Sequence, residues 1–178
     1  MTPSAPLPAI RPATPDDAPA LAELGRRTFT DAFGAGNTPE DLAAFLDTTY
    51  GEALQREELA SPALTYFLAE HDGLPVAFAL LRRDRPSPYV DDPSAVEMQR
   101  LYVDRDWHGT GLAQALMSHC LHDASIGGAG ALFLGVWEQN SRALRFYAAQ
   151  GFEPVGRQVF VVGSDPQTDI VLRRRLLR

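Results

Sequence analysis

The sequence predicts one α/β domain, with helices packed on a mixed sheet, and three observations carry the prediction. The patterned segments follow the order β-ααα-ββ-β-α-β-α-ββ, helical and strand-like spacing alternating along the chain. Asp72-Gly73 joins two apolar runs, Leu64–His71 and Pro75–Arg82, which is a hairpin signal. Ala131–Trp137 is almost wholly apolar, as a strand buried on both faces should be. With 178 residues, 45% of them hydrophobic and 22% charged, the chain fits a single domain with its own core.

The elements follow in order. Residues 1–9 hold three prolines and are expected to form a frayed tail, leaving 10–178 as the domain. Ile10–Ala13 is a short strand. Thr14-Pro15-Asp16-Asp17 starts a helix: a capping hydroxyl, a preset proline and acids at the positive helix end. Its apolar side carries Ala18, Leu21, Ala22, Phe29 and Phe33. The same start recurs at Thr38-Pro39-Glu40-Asp41, opening a helix with Leu42, Phe45 and Leu46 inside, and a third helical piece spans Glu52–Ala60. After the hairpin comes a polar, proline-rich loop, Asp84–Ser94, then a strand at Val96–Val103. Gly111–Ser125 is a helix with Leu112, Ala115, Leu116 and Cys120 at core spacing. Asn140–Gln150 is a helix ended by Gly151, and Phe152–Val162 with Asp169–Arg175 make a final antiparallel pair. The run Arg173-Arg174-Arg175 is expected on an exposed sheet edge. Trp107 and Trp137 are expected to serve packing.

Composition narrows function. A net charge of −7 argues against a nucleic-acid partner and favours a cationic one. No apolar run reaches the length of a membrane span, and Met1 to Ala9 lacks the features of a signal peptide, so a cytoplasmic location without membrane contact is expected. One cysteine, Cys120, excludes an intrachain disulfide and a zinc ribbon, and no metal is expected. At core spacing its thiol is expected to be buried and inert.

The most informative segment is Leu101–Ala113, where a strand ends, a short turn carries Gly109 and Gly111, and a helix begins. Backbone N–H groups at such a helix start bind anions, and glycines allow close approach. Leu112-Ala113 after the last glycine excludes a P-loop, and the third glycine of a dinucleotide fingerprint is absent. Downstream lies Leu134–Phe152, with Asn140 after the strand and Phe146-Tyr147 leading to Gly151-Phe152.

Together the two segments resemble the GNAT superfamily of N-acetyltransferases. The family's phosphate motif, Gln/Arg-x-x-Gly-x-Gly/Ala, maps onto His108 to Ala113; Gly111 and Ala113 match, and His108 stands where Gln or Arg is usual. Within the superfamily, Arg100-Leu101-Tyr102-Val103, Val136-Trp137-Glu138 and Asn37–Asp41 are similar to bacterial polyamine (spermidine/spermine) N-acetyltransferases. The resemblance implies a mixed, mostly antiparallel central sheet flanked by helices. It implies acetyl-CoA as co-substrate, no metal, and direct attack by a primary amine in a ternary complex. The implied cofactor-binding residues are Leu101, Tyr102, Val103, His108, Gly109, Thr110, Gly111, Leu112, Ala113, Asn140 and Tyr147, with Tyr147 as the acid that protonates the leaving thiolate.

Three readings of the chemistry stay open: acetylation of a polyamine or other small amine, acetylation of a protein N-terminus or antibiotic amine, and a CoA-binding regulatory module without turnover. Acetylation requires a neutral amine. An aliphatic amine of pKa about 10.4 is almost wholly protonated at pH 7, a cost of about 4–5 kcal/mol, so a base must take its proton. Glu97, on the strand leading to the cofactor, is the candidate. Phe29, Phe33, Tyr89 and Asp91 are candidates for the acceptor site, with Asp31, Glu40, Asp41 and Asp92 as further acids able to attract a cation. Family members are often dimers, which leaves a homodimer open.

Overall fold

The structure is a computed structural model that describes residues 6–176. It contains β1 (Ala9–Pro12), α1 (Ala18–Phe33), α2 (Pro39–Thr49), α3 (Glu52–Ala60), β2 (Leu64–His71), β3 (Leu74–Arg82), β4 (Val96–Val103), α4 (Leu112–Ile126), β5 (Ala131–Trp137), α5 (Ser141–Ala149), β6 (Glu153–Val162) and β7 (Asp165–Arg175). Of the expected tail, residues 1–5 lie outside the described residues and Ala9 already belongs to β1.

Local chemistry starts the helices where the sequence expects them. The Thr14 N–H donates to the Asp17 carboxylate at 2.7 Å, closing the turn that leads into α1. The Arg11 guanidinium, bridging Asp17 and Glu70 at 2.8 Å each, pulls the Asp17 carboxyl down to about 2. Thr38 Oγ1 accepts from the Asp41 N–H at the start of α2. Asp41 in turn accepts from the N–H and hydroxyl of Ser164, so α2 is tied to the β6–β7 turn.

The seven strands form one sheet in the order β1-β2-β3-β4-β5-β7-β6. Every neighbouring pair among them is antiparallel except β4–β5. On one face α4 packs Leu112, Leu116, Met117 and Cys120 against Leu132, Leu134 and Val136. Burial pushes the Cys120 thiol up to about 12, which keeps it protonated and inert. On the other face α1 and α2 pack Leu21, Leu24, Phe29 and Leu46 against Tyr66, Leu68, Phe78 and Leu80. No helix among the described residues is long and apolar enough to cross a membrane.

Two expectations about the last strands need correction. The final strand starts at Asp165 rather than Asp169, because a tight turn at Gly163-Ser164 pairs Val162 with Asp165 and carries the ladder through polar residues. The arginine run does not lie on a sheet edge. β7 is inserted between β5 and β6, Arg173 pairs with Glu153, and Arg174 donates to the Gln150 carbonyl.

Gly25 sets how closely α1 approaches Tyr50: a Cβ there would run into the Tyr50 ring, which is itself buried. Gly25→Ala is expected to lower stability by about 1–3 kcal/mol through overpacking, read from the midpoint of urea unfolding.

Candidate active site

The site begins where the parallel strands β4 and β5 come apart. They are paired only at Val96–Leu132 and Glu97–Phe133. Beyond these the strands diverge, and a bulge bends β4 at the same place: Leu81 lies opposite Met98 and Leu80 opposite Arg100, so Gln99 is the extra residue. Bulges turn a strand and end its pairing, and they recur beside active sites. Alternate residues of β4 beyond Met98 therefore turn N–H and C=O groups toward an open gap instead of a neighbour.

A cavity of about 490 Å³ fills this gap, walled by β4 from Met98 to Val103, the start of α4, the end of β5 and one side of α5. Its α4 end is built for an anion. Gly109 and Gly111 have φ of +79° and +94°, conformations that L side chains rarely adopt, and the space beside each α-carbon is open. Gly111 caps α4 with no side chain, so the first N–H groups of the helix face outward without a helical acceptor.

His108 settles into this loop in a defined way. Its Nε2 lies 2.9 Å from the Val103 carbonyl, which can only accept, so Nε2 carries the proton. Its Nδ1 accepts from Arg142 Nη1 at 2.8 Å. The imidazole thus turns onto the backbone and holds an arginine from the first turn of α5 at the mouth of the anion site. Sequence reasoning missed Arg142. Its place just after the helix cap Asn140 was the available signal, and its tie to His108 is tertiary.

At the other end, Tyr147 lines the cavity from α5 and is only 9% exposed. Burial holds its phenol well above the ordinary value. The rings of Phe146 and Phe152 meet it edge-on, at centroid distances of 5.2 and 5.6 Å. Asn140 also lines the cavity, while its side-chain oxygen accepts from the Ala143 N–H and caps α5.

The cavity brings together most of the residues singled out in the sequence: Leu101, Tyr102, Val103, His108, Gly109, Gly111, Leu112, Ala113, Asn140, Tyr147 and Phe33. Others lie off its wall, among them the acids Glu40, Asp41 and Asp92. Thr110 turns back to donate to the Trp107 carbonyl at 2.8 Å. Glu97 sits at the closed end, where β4 and β5 are still paired, and burial raises its carboxyl above the ordinary value. Phe29 is core, 2% exposed and stacked on Phe45 at 4.3 Å. Tyr89 packs on Gly156 of β6. Asp91 faces a separate shallow hollow with Arg173 and Arg175. Trp137, expected only to pack, lines the cavity opposite Phe33, with ring centroids 6.0 Å apart. Asp31 lines it too, bonded to Arg105 at 3.0 Å.

The sheet is thus opened between two parallel strands, with an uncapped helix start at the gap, whose free N–H groups suit an anionic group, and a buried phenol beside it. The family model described as Acetyltransferase (GNAT) family matches residues 25–152, and the chain belongs to that family. It is an acetyl-CoA-dependent N-acetyltransferase. An uncharacterized N-acetyltransferase of Mycobacterium tuberculosis is 38% identical over 90% of this chain and 99% of its own. The N-alpha-acetyltransferase RimI of the same organism is 31% identical over 85% of this chain and 84% of its own. Among solved structures, the PaiA N-acetyltransferase of Thermoplasma acidophilum in complex with coenzyme A shares the fold with a TM-score of 0.77 at 17% identity, over 94% of this chain and 98% of that one.

Proposed function

We propose that the chain acetylates a primary amine of a small cationic molecule, with a polyamine as the first candidate, by direct attack in a ternary complex. The observation that carries this is the cavity that holds together the uncapped start of α4, the open edge of β4 and the Tyr147 phenol. Acetyl-CoA supplies an activated acyl group on a thiol leaving group.

The residues present fit it. The glycine cradle and the α4 amides suit a pyrophosphate, and the open β4 edge suits the amides of a pantetheine arm. A backbone N–H of β4 aimed into the gap polarises an acyl oxygen. Tyr147, kept protonated by burial, donates its proton to the departing sulfur.

The amine side faces α1. There Phe33 and Trp137 offer rings to a methylene chain, and the chain's net charge of −7 favours a cation. A second reading, acetylation of a protein N-terminus, is favoured by the likeness to RimI.

Thiol release from acetyl-CoA across spermidine, spermine, short diamines, N-terminal peptides and aminoglycosides, with products identified by mass spectrometry, tests the proposal. Preferred turnover of a polyamine supports it, and turnover confined to peptides replaces it with the second reading. The same assay tests the anion end. Arg142→Ala is expected to raise the KM for acetyl-CoA by about 2- to 5-fold, the scale of an exposed ionic contact, with kcat unchanged.

A further inference from the structure

We propose that Asp169 of β7, whose carboxylate lies against Gly135 of the cavity wall, is the base that takes the proton from the acceptor amine. This rests on the reading of the acceptor as an amine. The register places both residues on one face of the sheet. Trp137 is paired with Asp169 and Gly135 with Val171, so the side chains of Trp137 and Asp169 share the face on which Gly135 has none. It is the face that carries Phe33 and Trp137, where the amine enters.

Gly135 lines the cavity and is exposed although it lies inside a buried strand. A Cβ at Gly135 would lie 2.9 Å from Asp169 Oδ2 and 2.7 Å from Gln158 Nε2. Asp169 Oδ2 and Gln158 Nε2 thus fill the room a side chain would need, and the carboxylate lies directly behind a position of β5 that lines the cavity without a side chain.

Asp169 itself is 7% exposed, and no hydrogen bond or ion pair engages its carboxylate among the described residues. The groups around it are Gln158 on β6, Gly135 and Trp137 on β5 and Gln167 two residues back on β7, none of them charged. Burial alone pushes its carboxyl up to about 6. A carboxylate left unpaired in an apolar setting is costly unless it has a partner, and an arriving ammonium group is one. In the step the N–H bond of R–NH3+ breaks, the electron pair stays on nitrogen, and an O–H bond forms on Asp169. The products are neutral R–NH2 and a neutral carboxylic acid that returns its proton to solvent.

Asp169→Asn tests the assignment on the full chain with the best amine of the panel. At pH 7 kcat/KM for the amine is expected to fall about a hundredfold, with the acetyl-CoA dissociation constant unchanged. The variant's rate should then climb about tenfold per pH unit from 7 to 9, because the neutral amine supplies itself, while the wild type stays flat. Independently of turnover, carbon-13 NMR of labelled aspartates should show one carboxyl titrating near pH 6 that disappears in the variant. Wild-type rates in Asp169→Asn, a loss without recovery at high pH, or the same pH behaviour in Glu97→Gln instead would overturn the assignment. A wild type that acetylates no amine overturns the underlying reading of the acceptor, a result distinct from these.

Discussion

Tyr147→Phe is expected to lower kcat by about 10²- to 10⁴-fold, the range associated with loss of one positioned proton donor. The effect should fall on kcat, because in the proposed mechanism the phenol acts on a sulfur that carries charge only as it leaves. Burial keeps the wild-type hydroxyl protonated across the working range, so the donor is present whenever the site is filled. The ring is held edge-on by Phe146 and Phe152, contacts that phenylalanine repeats. Stability and the KM for acetyl-CoA should therefore change little. Steady-state kinetics beside a thermal melt separates the cases: an unchanged kcat removes Tyr147 from the chemistry, and a lowered melting temperature reassigns it to packing.

Glu58→Ala is expected to cost about 3–5 kcal/mol of stability, the scale for stripping the partner from a buried charge. Arg100 is 8% exposed, and its guanidinium is bonded to the Glu58 carboxylate at 2.8 and 3.2 Å. Tyr66 donates its hydroxyl hydrogen to Glu58 and accepts from Arg100, and the Tyr50 ring lies 5.1 Å beneath the guanidinium. Removing the carboxylate leaves the cation buried and unpaired directly behind the β4 bulge, so the gap should loosen as the domain weakens.

The pH dependence has a definite sign. Burial alone would raise the Glu58 carboxyl, but the bonds and charge of Arg100, with Tyr66 and Gln55, outweigh it and leave the group below its ordinary value. Its contribution is therefore complete above the unfolded pKa and disappears as the pH falls through the folded one. Guanidinium unfolding at pH 7 and at acid pH should show the gap between wild type and variant narrowing on acidification.

Both effects depend on tertiary facts of a kind the sequence discloses unevenly. The helix starts at Thr14 and Thr38, the glycine turn before α4 and the Asn140–Phe152 stretch were legible because each is a local backbone device with fixed residue requirements. The gap between β4 and β5 was not: nothing in Val96–Val103 tells where pairing with a strand much later in the chain stops. Glu97, the candidate base because it lies on the strand leading to the cofactor, falls within the last residue pair before the two strands separate. Phe29 and Phe33 stand one turn apart on the same side of α1, and only the stacking of Phe45 on Phe29 assigns one to the core and the other to the cavity. Asp169 did leave a trace. It stands at alternate spacing with the buried Val171, an acid on an inward face, at the first residue of the expected strand, where nothing in the sequence shows that the ladder already runs from Asp165.

The central claim is that acetyl-CoA is seated in the gap between β4 and β5 with its phosphates at the start of α4. Hydrogen exchange of the wild-type chain with and without acetyl-CoA tests it most directly. The account predicts new protection confined to the amides of residues 98–103 on the open β4 edge and of residues 109–114 at the head of α4. Protection elsewhere, or none at saturating acetyl-CoA, would contradict it.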